Sequence, residues 1–298
     1  MRKPSVGVLG LGIMGSAIAA NLVRAGLRVC GYDPVAARRR ALARAGGAPL
    51  GSAGEVAAGA KILLLSLPGP APLAAVCAEI AARAAPGTVV VEMSTLRLED
   101  KEKARRLLAR RRIVLLDCPL SGTGAQARTK DLVVFASGPP AACRRLAPVF
   151  RGFARAWPWL GRFGDGMRMK LVANLLVAIH NVSAAEAFVL ARRAGLDPEL
   201  VLRVVGDGAG GSRMFQVRGP MMVARRYTPA TMSVAMWQKD MRIIGEYAAR
   251  LGAAVPLFRA SAPLYRAALA QGRGRQDTAA VLAVLERASG RSGRKRRG

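Results

Sequence analysis

The chain is short of the side chains that metal and nucleophile chemistry use most. It has one histidine, His180, and four cysteines, Cys30, Cys77, Cys118 and Cys143, which stand far apart with no C-x-x-C pair. A zinc centre built from Cys and His is excluded by that inventory, and no metal is expected. A chain of 298 residues needs no disulfide scaffold, so the cysteines read as reduced thiols of a cytoplasmic protein. Aromatic residues make up 5%, too few to furnish stacking platforms for single-stranded nucleic acid. Acidic residues are also scarce, with 18 Asp and Glu against 47 Lys and Arg and a net charge of +29. Residues up to Phe163 carry 25 basic and 9 acidic side chains, and the remainder 22 and 9, so the charge is spread over the chain. Arg outnumbers Lys by 39 to 8 amid abundant Ala and Gly. That pattern fits a bias in coding composition at least as well as selection for a polyanionic partner.

Long uninterrupted apolar runs are missing too. Met1-Arg2-Lys3 is followed by four glycines and no Leu-rich core, which reads as strand, turn and helix and not as a signal peptide. Residues 171–191 are broken by Asn174, His180, Asn181 and Glu186, the pattern of a buried helix and not of a membrane span.

What is present is an α/β pattern followed by an α pattern. Short β-branched runs at 5–9, 27–32, 62–66, 89–92, 114–117 and 133–137 alternate with helical stretches at 16–25, 35–44 and 101–111. That alternation predicts a parallel, doubly wound sheet with crossover helices. Pro68, Pro70 and Pro72 predict a loop in which helix cannot begin before the last proline. After Gly164 the strand signals stop. One long helical pattern runs over 167–193 and ends at Gly195, Asp197-Pro198 opens another helix, and further helices fall at 240–250 and 278–288. The expected organisation is a Rossmann-type domain over 1–163, an all-α domain over 164–289 entered by the long helix, and a basic, disordered tail over 290–298.

Gly10-Leu11-Gly12-Ile13-Met14-Gly15 follows the first strand and opens the first helix, the context a dinucleotide-binding G-x-G-x-x-G requires. Gly10 permits the tight turn, Gly12 lets the backbone approach a pyrophosphate, and Gly15 lets the helix pack close to the strand. Asp33 ends the second strand 18 residues beyond Gly15. A carboxylate there accepts hydrogen bonds from ribose hydroxyls and repels a 2′-phosphate, which favours NAD. Arg38, Arg39 and Arg40 lie close enough to keep NADP open.

Continued by Ala19 and Asn21-Leu22, this turn resembles the cofactor fingerprint of the β-hydroxyacid dehydrogenases. Three further segments are similar to that family's motifs and occur in its order. They are Asp117-Cys118-Pro119-Leu120-Ser121-Gly122-Thr123-Gly124, the run from Gly164-Asp165-Gly166 through Lys170 to Asn174, and Lys239-Asp240-Met241. The resemblance extends over residues 5 to 286. It implies an NAD(P)-dependent oxidoreductase that moves hydride reversibly between nicotinamide and a small 3-hydroxyacid such as 3-hydroxyisobutyrate, or reduces tartronate semialdehyde. It implies that Leu67, Pro68 and Thr95 line the nicotinamide half of the cofactor and that Lys239 reaches the cofactor from the helical domain. A homo-oligomer, dimer or tetramer, is also implied, since relatives pair through that domain.

The residues suit that chemistry. Oxidising an alcohol requires a base for the hydroxyl proton, and reduction requires the same group as acid. Lys170 lies among Met167, Met169, Leu171 and Val172, where desolvation is expected to lower its pKa. Asn174, four residues on, shares its helical face and is expected to orient the lysine or hold the reacting oxygen. Ser121, Gly122 and Thr123 offer hydroxyls and backbone N–H groups for a substrate carboxylate, delivered at the carboxyl edge of the sheet. Two rivals stand beside this reading. One is a catalytically weak dehydrogenase-fold protein that binds polyanions such as nucleic acid, non-specifically, through its basic surface. The other is a relative with different chemistry. Imine reductases usually lack the lysine, which is present here, and 6-phosphogluconate dehydrogenases usually have His where Ala173 stands.

Overall fold

The computed structural model describes residues 5–290, and the chain divides into two compact units after Lys170. The first unit runs β1 (Ser5–Leu9), α1 (Ile13–Arg24), β2 (Arg28–Tyr32), α2 (Ala36–Arg44), β3 (Ala48–Pro49), α3 (Ala53–Gly59), β4 (Ile62–Leu65), α4 (Pro70–Arg83), β5 (Val89–Glu92), α5 (Leu98–Ala109) and β6 (Val114–Asp117). These six strands form one parallel sheet in the order β3-β2-β1-β4-β5-β6, the doubly wound arrangement expected.

Strand residues alternate between two cores because successive side chains leave opposite faces of the pleat. Val6, Val8, Leu64, Val89, Val91 and Leu116 enter one core, under α1 and α8 (Ala147–Phe153). Leu9, Leu63, Leu65, Val90 and Leu115 enter the other, beneath helices such as α4, which buries Leu73, Cys77, Ile80 and Ala81 on one stripe. Burial on both faces is why these strands read as continuous apolar runs.

Two expectations need correction here. Helix α4 begins at Pro70, not at Pro72. The first-turn N–H groups of a helix have no intrahelical acceptor, so prolines there cost no hydrogen bond. The run 133–137 is not a strand of the main sheet. Its first two residues form β8 (Val133–Val134), antiparallel to β7 (Leu120–Ser121), while Ala136 and Ser137 make isolated bridges to Trp159 and Asp117. The intervening α6 (Gly124–Arg128) is a single turn of helix, too short to serve as a parallel crossover. Helix α7 (Pro140–Arg145) then leads into α8.

The second unit is helical. It holds most of α9 (Asp165–Arg193), then α10 (Pro198–Asp207), α11 (Arg213–Val223), α12 (Val234–Arg250), α13 (Pro256–Ala270), a 3₁₀ turn (Thr278–Ala280) and α14 (Val281–Ala288). Helix α12 starts six residues earlier than the pattern at 240–250 suggests, because Ser233 caps it through the Met236 N–H. Helix α9 ends in a Schellman turn at Gly195 (φ +78°), with Leu196 N–H on Ala191 O and Gly195 N–H on Arg192 O. Among the described residues α9 is the one helix long and apolar enough to cross a membrane. Its buried Asn181, however, donates from Nδ2 to Tyr265 Oη at 3.1 Å and Thr278 O at 2.9 Å, so that amide nitrogen has protein partners on neighbouring elements. Residues 291–298, most of the basic tail, lie outside the described residues. Gly290 is described, and its carbonyl accepts from Arg193 at 2.8 Å.

The four cysteines are free and buried. Burial pushes the Cys143 thiol up to about 11, and burial with the nearby Glu92 pushes Cys77 up to about 12. Thiols held protonated in this way are packing groups and not nucleophiles.

Asp277 joins the second unit's loops and helices. Its carboxylate accepts from Arg218 Nε at 2.9 Å, Thr231 N at 2.8 Å, Thr231 Oγ1 at 2.7 Å, Met232 N at 3.1 Å and Ala279 N at 3.1 Å. Burial alone would raise its pKa, but Arg218 and these hydrogen bonds outweigh it and hold the carboxyl below the ordinary aspartate value. The contribution to stability is therefore complete above the ordinary aspartate range and is lost as pH falls through the lowered value. We expect Asp277→Ala to destabilise the protein by about 3–5 kcal/mol, as removing one partner of a buried ion pair does. In thermal melts that is a fall in Tm on the order of 10 °C at neutral pH, and the gap from wild type should narrow as the pH falls below 4. An unchanged melting curve would refute the role.

Candidate active site

The glycine turn is built as its spacing requires. Gly10 has φ +89°, and a Cβ there would overlap the Ser66 carbonyl. A Cβ on Gly15 would overlap the Gly10 carbonyl, whereas one on Gly12 would meet nothing within 4 Å. The turn is thus closed against the protein at Gly10 and Gly15 and open on the side Gly12 faces. Helix α1 starts there with no side-chain cap and no acid in its first turn, so its positive end is left for an anion. Leu11 is buried beneath the turn, Ile13 is exposed, and Met14 is half-buried. This cradle fits the pyrophosphate of a dinucleotide, with Gly10 to Gly15 as the residues that would hold it.

Asp33 is nearly fully buried, and both its oxygens have protein partners. Oδ2 accepts from Leu11 N at 2.8 Å and lies 3.2 Å from Arg38 Nη1, while Oδ1 accepts from Val35 N at 2.9 Å. Arg39 bonds the Asp33 carbonyl at 2.6 Å and lies over the Tyr32 ring. The carboxylate therefore also ties the glycine turn to the end of β2, a task the sequence did not reveal. Changing Asp33 to Ala would loosen the turn for either cofactor, so that variant does not isolate a ribose contact.

The remaining loops hang from the carboxyl ends of β4, β5 and β6. Leu67 N–H donates to Ser94 Oγ at 2.8 Å, and Ser94 N–H donates to Glu92 Oε1 at 2.9 Å, so the Leu67-Pro68 loop and the loop carrying Thr95 are joined. Leu67 also lies beside Gly10. Pro68 is exposed and Thr95 half-buried. Gly122 has φ +131°, and a Cβ there would stand 2.6 Å from the Leu132 side chain. Ser121 is half-buried at the end of β7. Thr123 is the N-cap of α6 in a capping box: its N–H donates to Gln126 Oε1 at 2.9 Å and its hydroxyl accepts from Gln126 N at 3.5 Å. Its hydroxyl and N–H therefore serve the helix, which leaves Ser121 and Gly122 as the better-placed donors for an anion. The next residue, Gly124, has no room for a Cβ because Ile13 fills the space, and Asn21 donates to Ala127 O at 2.6 Å. The substrate-loop motif and the cofactor turn are thereby packed against each other.

Behind these loops stands a buried charge cluster. Lys101 Nζ is 2.7 Å from Glu92 Oε2 and 2.6 Å from Asp117 Oδ1, and all three side chains are 0% exposed. The other Asp117 oxygen accepts from Met167 N at 2.7 Å, and Ser137 Oγ accepts from Gly166 N at 2.9 Å. Gly166 is required, since a Cβ there would stand 2.6 Å from the Asp117 carbonyl. The first turn of α9 is thus pinned to the end of β6, with its positive end on a carboxylate. Lys170, half-buried, lies three residues past Met167. Within the second unit the buried Asn174 donates from Nδ2 to Asp240 Oδ2 at 3.0 Å. Lys239 Nζ lies 3.4 Å from Asp240 Oδ1, in the interior of α12.

The structure thus joins Gly10 to Gly15, Asp33, Leu67, Thr95 and Ser121 to Thr123 on one sheet edge, and Asn174 with Lys239 around Asp240. Residues that sequence reasoning missed are Lys101, Glu92, Ser94 and Asp240. Asp240 was legible as the acid beside Lys239, whereas Lys101 looked like any helix lysine.

A parallel sheet in the doubly wound order, an open glycine turn at its carboxyl edge and a lysine-bearing helix pinned to that edge define a nucleotide-dependent oxidoreductase. Residues 5–161 match the NAD-binding domain of 6-phosphogluconate dehydrogenase, and residues 164–285 match the NAD-binding domain of NADP-dependent 3-hydroxyisobutyrate dehydrogenase. An L-threonate dehydrogenase of Cupriavidus necator is 32% identical over 94% of this chain and 96% of its own length. The structure of 3-hydroxyisobutyrate dehydrogenase from Mycobacterium tuberculosis, solved with L-serine, is 29% identical, covers 95% of this chain and 99% of that one, and superposes with a TM-score of 0.86. A 3-hydroxyisobutyrate dehydrogenase structure from Salmonella typhimurium gives 30% identity, coverage of 95% and 100%, and the same TM-score. The chain belongs to the β-hydroxyacid dehydrogenase family and is an NAD(P)-dependent dehydrogenase acting on hydroxyl groups.

The turn's geometry yields a direct test. Gly15→Ala places a methyl on the Gly10 carbonyl and must displace α1 from the turn. We expect NADH affinity to fall by about 10²-fold or more, since overpacking of about 1–3 kcal/mol adds to the loss of pyrophosphate contacts. Fluorescence titration with NADH checks this, and wild-type affinity in the variant would refute the assignment of the turn.

Proposed function

We propose that the protein oxidises a small 3-hydroxyacid reversibly, in the class of 3-hydroxyisobutyrate or L-threonate, or reduces tartronate semialdehyde, with Lys170 as general acid–base. The observation that carries this reading is the anchoring of Lys170: its helical turn is fixed to the sheet edge by the Met167–Asp117 hydrogen bond. A proton-transfer group needs such fixed placement. When bound, the nicotinamide supplies the hydride acceptor or donor. Lys170, as the neutral amine, takes the hydroxyl proton in the oxidative direction and returns it to the carbonyl oxygen in the reductive one. Asn174, held by Asp240, presents its amide oxygen one helical turn from Lys170. Ser121 and Gly122 hold the substrate carboxylate, and Leu67, Pro68, Thr95 and Lys239 border the cofactor.

Asp33 supports NAD as cofactor, and the exposed Arg38 guanidinium beside it supports acceptance of NADP, since rotation away from Asp33 brings it to a 2′-phosphate. Four buried free thiols support a cytoplasmic setting. Met169, Val172 and Leu176, exposed at helical spacing on α9, support a homo-oligomer in which a second copy covers them. The positive charge is read as compositional because both halves of the chain share it.

Two outcomes are expected. Lys170→Ala should reduce kcat on the true substrate by about 10²–10⁴-fold, the usual contribution of a positioned acid–base group, with NADH affinity little changed. A substrate panel followed at the nicotinamide absorbance band identifies that substrate, and a near-normal kcat in the variant would sink the mechanism. Arg38→Ala should weaken NADP by about tenfold, the worth of one charge-assisted hydrogen bond, and leave NAD affinity nearly unchanged. Equal affinities of wild type and variant for NADP would remove Arg38 from cofactor choice.

A further inference from the structure

We propose that Lys101 is a positioning residue for this reaction: by clamping Glu92 to Asp117 it holds the cofactor-side loops and the Lys170 turn in one register. The inference rests on the dehydrogenase reading above and deepens it. Glu92 and Asp117 are direct neighbours across β5 and β6, so two buried carboxylates face each other at the carboxyl edge of the sheet. Like charges this close repel unless a cation lies between them. The Lys101 ammonium occupies that place, at 2.7 Å from one and 2.6 Å from the other. Burial would drive the lysine toward its neutral form, but the two carboxylates outweigh burial and keep it protonated.

Each carboxylate then uses its second oxygen on a different functional element. Glu92 Oε1 takes Ser94 N–H, and Ser94 Oγ takes Leu67 N–H, which sets the two loops assigned to the nicotinamide half. Asp117 Oδ2 takes Met167 N–H, which sets the turn of α9 that leads to Lys170. One ammonium is therefore one ion pair plus two hydrogen bonds from Leu67, and one ion pair plus one hydrogen bond from the acid–base helix. A purely structural need at this site would be met as well by apolar side chains, because buried ion clusters are seldom more stabilising than well-packed hydrocarbon. What the charged cluster adds is direction, since each oxygen accepts from one named N–H group.

The test uses the full chain as Lys101→Met and as Lys101→Met/Glu92→Gln, the second of which removes cation and one carboxylate together and so avoids two unpaired buried charges. For whichever variants fold, we expect kcat to fall by about 10²-fold, the cost of misplacing reacting groups by about 1 Å. NADH affinity, set chiefly at the Gly10 turn with the Leu67 and Thr95 loops as its border, should fall by no more than about tenfold, well short of the loss in kcat. Normal kcat with only a lowered Tm overturns the proposal, and so does a loss shared equally between kcat and NADH affinity, which signals general loosening. Lys170→Ala assayed in parallel separates the two failures. An active wild type, an impaired Lys170→Ala and normal Lys101 variants defeat the positioning role alone, whereas a normal Lys170→Ala defeats the acid–base reading beneath it.

Discussion

The Asp117 carboxylate is where the fold and the chemistry meet. One of its oxygens neutralises a fully buried ammonium and the other receives the N-terminus of the longest helix. A helix N-terminus carries roughly half a positive charge, so the carboxylate lies between two cationic neighbours and not in bare hydrocarbon. The rest of the site follows from that arrangement. Gly164 and Gly166 exist to let the chain reach Asp117: Gly164 takes φ +96°, and Gly166 has the β6 carbonyl where a side chain would be. Without both, α9 could not begin at the strand end.

The cofactor turn obeys a similar constraint. Its backbone is closed by Gly10 and Gly15 on the protein side and stitched to β2 by Asp33, whose carboxylate holds Leu11 N–H. The same carboxylate therefore shapes the turn and, in the proposed function, also meets the ribose. Arg38 shares it. In the function proposed above, cofactor preference depends on the balance between a carboxylate fixed by backbone hydrogen bonds and a guanidinium held by one exposed ion pair. Exposed pairs of that kind are worth little, so the arginine is the more adjustable partner.

Legibility in the sequence follows the range of the forces involved. Residues 89–92 and 114–117 read as strands, and the structure has the same bounds, because strands buried on both faces announce themselves as apolar runs. The Schellman turn at Gly195 and the helix start at Asp197-Pro198 were legible for a similar reason, since caps are local chemistry. The reading failed where a partner distant in sequence decided. Residues 133–137 look like one more parallel strand, but β7 and Trp159 claim them. Thr123 is a different case: its hydroxyl, offered as a substrate contact, caps α6 with Gln126 only three residues on, so the competing partner there is local.

What the sequence determined by itself is the alternation that makes a parallel sheet, the glycine turn with its acid, and the motif order that marks the family. Each depends on residue type and spacing within one element or between neighbouring ones. Tertiary structure alone decided that Lys101 is an interior cation and not one more surface lysine among the 47 Lys and Arg residues. Its two partners are 9 and 16 positions away in the chain, on different strands; the stripe it shares with Ala104 and Leu108 on α5 gives its face of the helix but not its counter-charges. A charge becomes a structural element only when folding removes its water and supplies its counter-charges. That condition belongs to three dimensions, and it is met only when β5, α5 and β6 are packed.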